Sequence, residues 1–365
     1  MDISYRIKNL IRKESNISIA RFMEEVISND QYGYYNNNDT IGELGDFITS
    51  PEISQLFGEM IGLWCADVWY KLNCPKEFIL VELGPGKGTL IDDLLRSTKN
   101  IPGFHNAIQI HLVEISANLR ERQEEILSKY NIPKYWHKSI KNLPDNLPSI
   151  YIANEFFDAL PINQYIKLKD DWFEITISLN EIDEELCFVY MPVMDKVKTD
   201  LENDYDHLTH NSIVEISSKS IEIIKTIGDN IVKNNGAALI IDYGYTDPYS
   251  ERKATSSTLQ AIKNHKFHPI LKDIGKADIS AHVDFYTLAE AVKVKSINPQ
   301  ITTQGKFLTD IGINIRANLL LEKADIINKK NIYLALDRLT SPNKMGNLFK
   351  VLSMFYNKNA NQIIL

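Results

Sequence analysis

Cysteine is scarce in this chain of 365 residues, and the three present, Cys65, Cys74 and Cys187, are widely spaced with no C-x-x-C pair. An odd, scattered set excludes a disulfide framework and the common zinc patterns, and it fits a reducing compartment. Basic charge is in deficit as well: 40 Lys and Arg face 48 Asp and Glu, a net charge of −8. No basic stripe is left to neutralise nucleic-acid phosphates, so no nucleic-acid partner is expected. His207/His210 and His265/His268 have H-x-x-H spacing, but no Cys or carboxylate pattern accompanies them and no metal is expected. Nowhere is there a run of about 18 uncharged apolar residues, and the N-terminal MDISYRIKNLIRKESN has no apolar signal-peptide core. Secretion and membrane insertion are therefore not expected. The expected location is the cytoplasm of a bacterium, with the mitochondrial matrix as the alternative because Arg6, Lys8, Arg12 and Lys13 gather near the start.

The most informative stretch is VELGPGKGTL, residues 81–90. It follows the apolar run FILVEL (78–83) and precedes TLIDDLLRS, in which Leu90, Ile91, Leu94 and Leu95 repeat at helical spacing, so it reads as strand, glycine turn, helix. Glycines let such a turn approach a ligand closely, and the helix N-terminus offers unpaired N–H groups. Lys87 is followed by Gly88 and the four-residue spacer is missing, which excludes a P-loop. Gly84, Gly86 and Gly88 fall as G-x-G-x-G after Glu82 rather than as the dinucleotide G-x-G-x-x-G. The next strand, IQIHLVEI (108–115), delivers Glu114 near its C-terminal end, where a carboxylate can accept hydrogen bonds from both hydroxyls of a ribose.

Strands alternating with helices predict an α/β, doubly wound, Rossmann-like sheet with an inserted antiparallel hairpin region and helical additions. Residues 1–50 read as an N-terminal helix and a binding loop, the polar, aromatic tract 32–50 with Tyr34 and Tyr35 as candidates to cover the site. Residues 51–162 read as the first part of the core, beginning with one long helix over 51–72 capped by Ser50 and Pro51. That part ends with SIYIANEFFDALPI, a strand delivering Asn154 and Glu155 and then Asp158. The period-two runs of 163–214 form the antiparallel insertion; 215–264 resumes the core with a helix over 215–233, a strand over 236–245 ending in Asp242, and an edge strand in STLQAIKNHKF. Residues 265–343 read as mainly helical, and 344–365 as a return to the core by a strand or helix.

Seven blocks in order, QYGYY, GELGDFITSPEISQLFGEMIG, VELGPGKGTL, ANEFFDALPI, IIDYGY, KADISAHVDF and MGNLFKVL, make the chain similar to the MidA family over nearly its full length. One departure is ISNDQYGYY, where the family more often has a His-Pro pair. That resemblance implies a class I methyltransferase using S-adenosyl-L-methionine (SAM), related to the mitochondrial factor that methylates arginine on a respiratory complex I subunit. It implies a cofactor site lined by Glu82, Gly84, Pro85, Gly86, Gly88 and Glu114, with Ser50 and Glu52 over the cofactor and Ser139 and Ile140 near adenine. The catalytic candidates are Glu155, Asp158 and Asn154: carboxylates can anchor a guanidinium fork, and the amide can orient substrate or the SAM amino group. Asp158 as a helix cap is the competing reading. His282 and Asp284 are further polar candidates, Asp284 alternatively as a cap. Two other functions remain open on the residues alone, a SAM-binding assembly chaperone without turnover and an NAD-dependent oxidoreductase.

Overall fold

The computed structural model describes residues 2–28, 49–253, 256–293 and 297–358; most of the tract 32–50, including Tyr34 and Tyr35, lies outside the described residues. In chain order the elements are α1 (Ile3–Glu14), β1 (Ile17–Ser18), α2 (Ile19–Ser28), α3 (Ser50–Ile53), α4 (Gln55–Lys71), β2 (Phe78–Leu83), α5 (Thr89–Thr98) and α6 (Phe104–Ala107). Next come β3 (Ile108–Val113), α7 (Ala117–Leu127), β4 (Lys134–His137), β5 (Ser149–Asn154), β6 (Asn163–Leu168), β7 (Asp171–Leu179), β8 (Leu186–Pro192) and α8 (Asp195–Tyr205). The second half continues with β9 (Ile213–Ile216), α9 (Ser218–Asn234), β10 (Gly236–Tyr245), β11 (Gln260–Lys263), β12 (Lys266–His268), β13 (Asp278–Ser280), β14 (Val283–Asp284) and α10 (Phe285–Lys293). It closes with β15 (Gln300–Thr303), α11 (Gln304–Asp310), α12 (Ile313–Lys323), α13 (Ile326–Thr340), α14 (Met345–Leu348) and β16 (Phe349–Tyr356).

The main sheet has the order β15-β16-β10-β5-β2-β3-β4, with β14 added beside β10. Strands β10, β5, β2, β3 and β4 run parallel, whereas β16 and β15 are antiparallel. Every residue of FILVEL and SIYIAN is buried, as expected for parallel strands covered on both faces. Phe78 and Leu80 face a layer built from α4 and α5, while Ile79, Val81 and Leu83 face one built from α9 and α10. This alternation is what makes the sheet doubly wound. The chain order reverses between β2 and β5, the switch point at whose carboxyl ends α/β sheets bind ligands. Fully buried Glu59 on α4 accepts hydrogen bonds from Arg96 on α5 and Arg316 on α12, which pins the C-terminal helices to this core.

Antiparallel β6, β7, β8, β9 and β1 form a second sheet, and α1 and α2 pack on it together with the small β12-β11-β13 sheet. Several sequence expectations change in detail. The long helix over 51–72 is two helices, because Ser54 is extended (φ −165°, ψ 140°) and its hydroxyl accepts from Leu56 N to start α4; Thr49, not Ser50, occupies the cap position of α3. The helix expected over 215–233 starts at Ser218, where Ser217 caps it by accepting from Ser220 N, and Ile213–Ile216 instead pair with β6. STLQAIKNHKF holds two strands, and the first, β11, is central in its sheet rather than at an edge. Strands β12 to β15 interrupt the stretch read as mainly helical, and the C-terminal return is a strand, β16.

Candidate active site

A cavity of about 320 Å³ opens at the switch point, within the range of small-molecule pockets. Its floor is the glycine turn. Gly84 and Gly86 have φ of +63° and +53°, and a Cβ at Gly84 would lie 2.8 Å from Cδ2 of Phe156, so only glycine lets the turns after β2 and β5 meet. Of the expected cofactor residues, Glu82, Gly84, Pro85, Gly86, Glu114, Ser139, Ile140 and Glu52 all line the cavity. Ser50 and Gly88 do not: Ser50 is buried with its N–H on Glu155, and Gly88 is the residue before α5, against Gln123. Asn154 and Glu155 line it from β5, while Asp158 is buried just behind. His282 and Asp284 lie elsewhere. The His282 ring packs on Tyr243, and Asp284 caps α10 through Thr287 N and pairs with Arg252.

Several residues that hold this geometry escaped sequence reasoning. Gln123 is fully buried; its Nε2 donates to Gly86 O (2.7 Å) and to Glu114 Oε2 (3.3 Å), while its Oε1 accepts from Trp136 Nε1 (2.9 Å). It ties the glycine turn to the end of β3. Glu114 Oε1 also accepts from Ser116 N at 2.8 Å. Lys141 and Lys219 pair with Glu222 on the cavity wall, and Lys87 and Lys138 add two more cations. These lysines come from separate segments with no local pattern that would have joined them.

The electrostatics are those of carboxylates short of partners. Glu82 is 3 % exposed, and its Oε2 has no hydrogen-bond partner among the described residues; burial and the neighbouring Glu114 push its pKa up to about 8. Burial likewise pushes Glu155 up to about 7, with the charge of Asp158 adding to it, and Asp158 up to about 6. Asn154 Oδ1 and Asp158 Oδ1 are likewise buried without partners among the described residues. Buried polar atoms are nearly always paired in folded proteins, so atoms left open around a cavity mark where a polar ligand completes the structure. Unpaired Glu82, the glycine cradle and Glu114 together suit a ligand bearing a cation, a flat apolar part and a ribose.

These shifts have a consequence for stability. A carboxyl whose folded pKa is raised stabilises the fold fully below its unfolded value near 4 and loses that contribution as pH rises through the folded value. For Glu155 the loss falls between about pH 4 and 7, and for Glu82 between about pH 4 and 8. Histidines His105, His111, His137 and His282, whose pKa values burial lowers, act below about pH 7 with the opposite sign. The melting midpoint of the ligand-free protein should therefore fall by on the order of 2–4 °C from pH 7 to 8.5. Glu82→Gln should flatten that slope. A midpoint that rises over this interval in wild type would contradict the assignment.

Comparison with known proteins agrees with this geometry. Residues 60–303 match a family model of S-adenosyl-L-methionine-dependent methyltransferases. The mitochondrial protein arginine methyltransferase NDUFAF7 of Xenopus tropicalis is 37 % identical, with 94 % of this chain and 83 % of that protein covered. The Homo sapiens protein of the same name is 32 % identical over 96 % of this chain and 85 % of its own. A crystal structure from Burkholderia thailandensis bound to S-adenosyl-homocysteine superposes with a TM-score of 0.84 at 24 % identity, covering 97 % of this chain and 92 % of that one, and so shares the fold. Among the described residues no helix is long and apolar enough to cross a membrane. A family match over most of the chain, at a cavity whose open carboxylates suit the same ligand, gives the identification: this chain belongs to the S-adenosyl-L-methionine-dependent methyltransferases, and SAM is its methyl donor.

Proposed function

We propose that the protein methylates arginine on a protein acceptor, a subunit of respiratory complex I, with Glu155 as the guanidinium anchor. The observation that carries the residue assignment is the trio Glu155, Asp158 and Asp242, which gathers where the bend after β5 lies against the inside of β10, with no lysine, arginine or histidine paired to it among the described residues. A guanidinium is the cation such a cluster lacks, and its planar fork matches a carboxylate. Arginine as acceptor is supported by the names of the curated relatives, and complex I by the resemblance to the MidA family.

SAM, when bound, supplies a methyl group on a sulfonium, and the protein's task is to hold the attacking nitrogen in line with it. Glu114 would hold the ribose, and Glu82 would face the cationic end of the donor. Glu155 would localise the guanidinium charge away from the attacking nitrogen. As that nitrogen bonds to the methyl carbon, the carbon–sulfur bond breaks and its electron pair stays on sulfur. The nitrogen must then shed one proton, and a carboxyl pushed up to about 7 is suited to receive it at neutral pH. Asn154 Nδ2 donates to Glu155 Oε1 at 3.2 Å and helps aim it.

Incubation with SAM carrying deuterated methyl groups and extract of cells lacking the protein, followed by mass spectrometry, tests the proposal. Label on an arginine of a complex I subunit is expected. Label on lysine, glutamine or a small molecule would overturn the arginine reading, and label on an arginine elsewhere would overturn the target. The ribose role of Glu114 has its own test. Glu114→Ala should weaken SAM by about 1–3 kcal/mol, the scale of hydrogen bonds to a charged group. Calorimetry giving the wild-type affinity would mean that the ribose is held elsewhere.

A further inference from the structure

We infer that Asp242 is a positioning residue for methyl transfer, holding Glu155 in the conformation that aims it into the cavity; this rests on the reading of Glu155 given above. Glu155 has φ +50°, a left-handed conformation that costs a non-glycine residue energy and persists only where the surroundings enforce it. Enforcement comes from β10. Glu155 N donates to Ile241 O at 2.9 Å, and the next strand residue, Asp242, turns its carboxylate under the bend, where Oδ2 accepts from Phe157 N (3.1 Å) and from Asp158 N (3.2 Å). Its Oδ1 accepts from Tyr243 N at 3.0 Å, so each carboxylate oxygen has a fixed donor. Tyr243 then reaches over and donates to Asp158 Oδ2 at 2.6 Å, while Asp158 O accepts from Ala281 N.

Asp242 is 0 % exposed and does not line the cavity, so it touches neither donor nor acceptor. Removing its carboxylate takes this acceptor from Tyr243 N and from the two N–H groups of the bend, Phe157 N and Asp158 N, and frees the bend to relax out of the left-handed region. The Cα–Cβ direction of Glu155 would then swing, and a misplacement of about 1 Å can cost on the order of 10²-fold in rate. The glycine turn after β2 and Glu114 after β3 are held by their own strands and by Gln123, and they meet this bend only where Gly84 packs on Phe156. The loss should therefore fall on turnover, with SAM affinity kept.

The test measures transfer of labelled methyl groups from SAM to total protein in extract of cells lacking the enzyme, together with SAM affinity by calorimetry. Asp242→Ala should lower the rate about 100-fold and Asp242→Asn, whose amide oxygen can still accept both N–H groups, about 10-fold. SAM affinity should stay within about threefold in both. In a Glu155→Gln background either change should add less than about threefold, because residues acting as one unit are not additive. If Asp242→Ala fails to fold, Asp242→Asn in the two backgrounds carries the test. Equal losses in both backgrounds, an undiminished rate, or loss of SAM affinity would overturn the inference about Asp242. A fully active Glu155→Gln protein would instead overturn the anchor reading, and the inference with it, as would wild type that transfers no label.

Discussion

Gly86→Val is expected to abolish SAM binding in a protein that remains folded. Gly86 lies on the cavity floor with φ +53°, a region a β-branched residue adopts only under strain. Valine would therefore either place its methyl groups in the path of the ligand or pull the turn out of shape, and both outcomes remove the surface the donor needs. The backbone cost is on the order of 1–3 kcal/mol, tolerable for a chain with two large buried clusters around its main sheet. Gly84 makes a poorer probe: a Cβ there would press on Phe156 and disturb the bend that carries Glu155. Calorimetry with SAM and S-adenosylhomocysteine should show loss of at least about 10³-fold in affinity, roughly 4 kcal/mol. Wild type should bind both and not bind NAD, whose pyrophosphate wants a different glycine spacing. Retained affinity in the valine variant would take Gly86 out of the site.

The parts of this site that were legible in the sequence are those in which one short segment carries both its structure and its chemistry. FILVEL followed by three alternating glycines, and IQIHLVEI ending in Glu114, each announce a strand and deliver a residue to its carboxyl end, and both reach the cavity wall. Asp242 was expected at the end of its strand, but β10 runs on to Tyr245 because β16 and β14 continue the pairing, and its partners Phe157 and Asp158 lie some eighty residues away, so nothing local revealed its role. Gln123 shows the same limit more sharply: a glutamine on a largely polar helix looks solvated, and only the packing of α7 against β4 and the glycine turn buries it completely. Ser54 broke a convincing helical period because its hydroxyl offers the backbone a competing bond, which apolar spacing does not register. Ser139 and Ile140 came from the family resemblance rather than from their own pattern; the structure puts them on the cavity wall, with Ser139 opening a short 3-10 turn.

Glu155→Gln is expected to keep SAM affinity and lose about 10²-fold or more in turnover, about 2.7 kcal/mol of transition-state stabilisation. The substitution preserves size, and the amide oxygen can still accept from Ser50 N, which lies 2.7 Å from Oε1 in the wild type, so the left-handed bend and the start of α3 have no reason to move. What disappears is charge. Glutamine cannot localise the guanidinium's positive charge, and it cannot receive the proton that the attacking nitrogen sheds. The two losses separate by pH. With burial holding Glu155 near 7, the wild-type rate should rise as pH increases through that value, because the ionised form is the one that anchors and accepts; in the variant that limb should vanish. Binding of the donor should change little, since Glu82, Glu114 and the glycine turn are untouched. Methyl transfer at an undiminished rate would move the anchor to Asp158, whose Oδ1 stands open beside the same bend. A rate loss matched by an equal loss of SAM affinity would assign Glu155 to the donor instead of the acceptor.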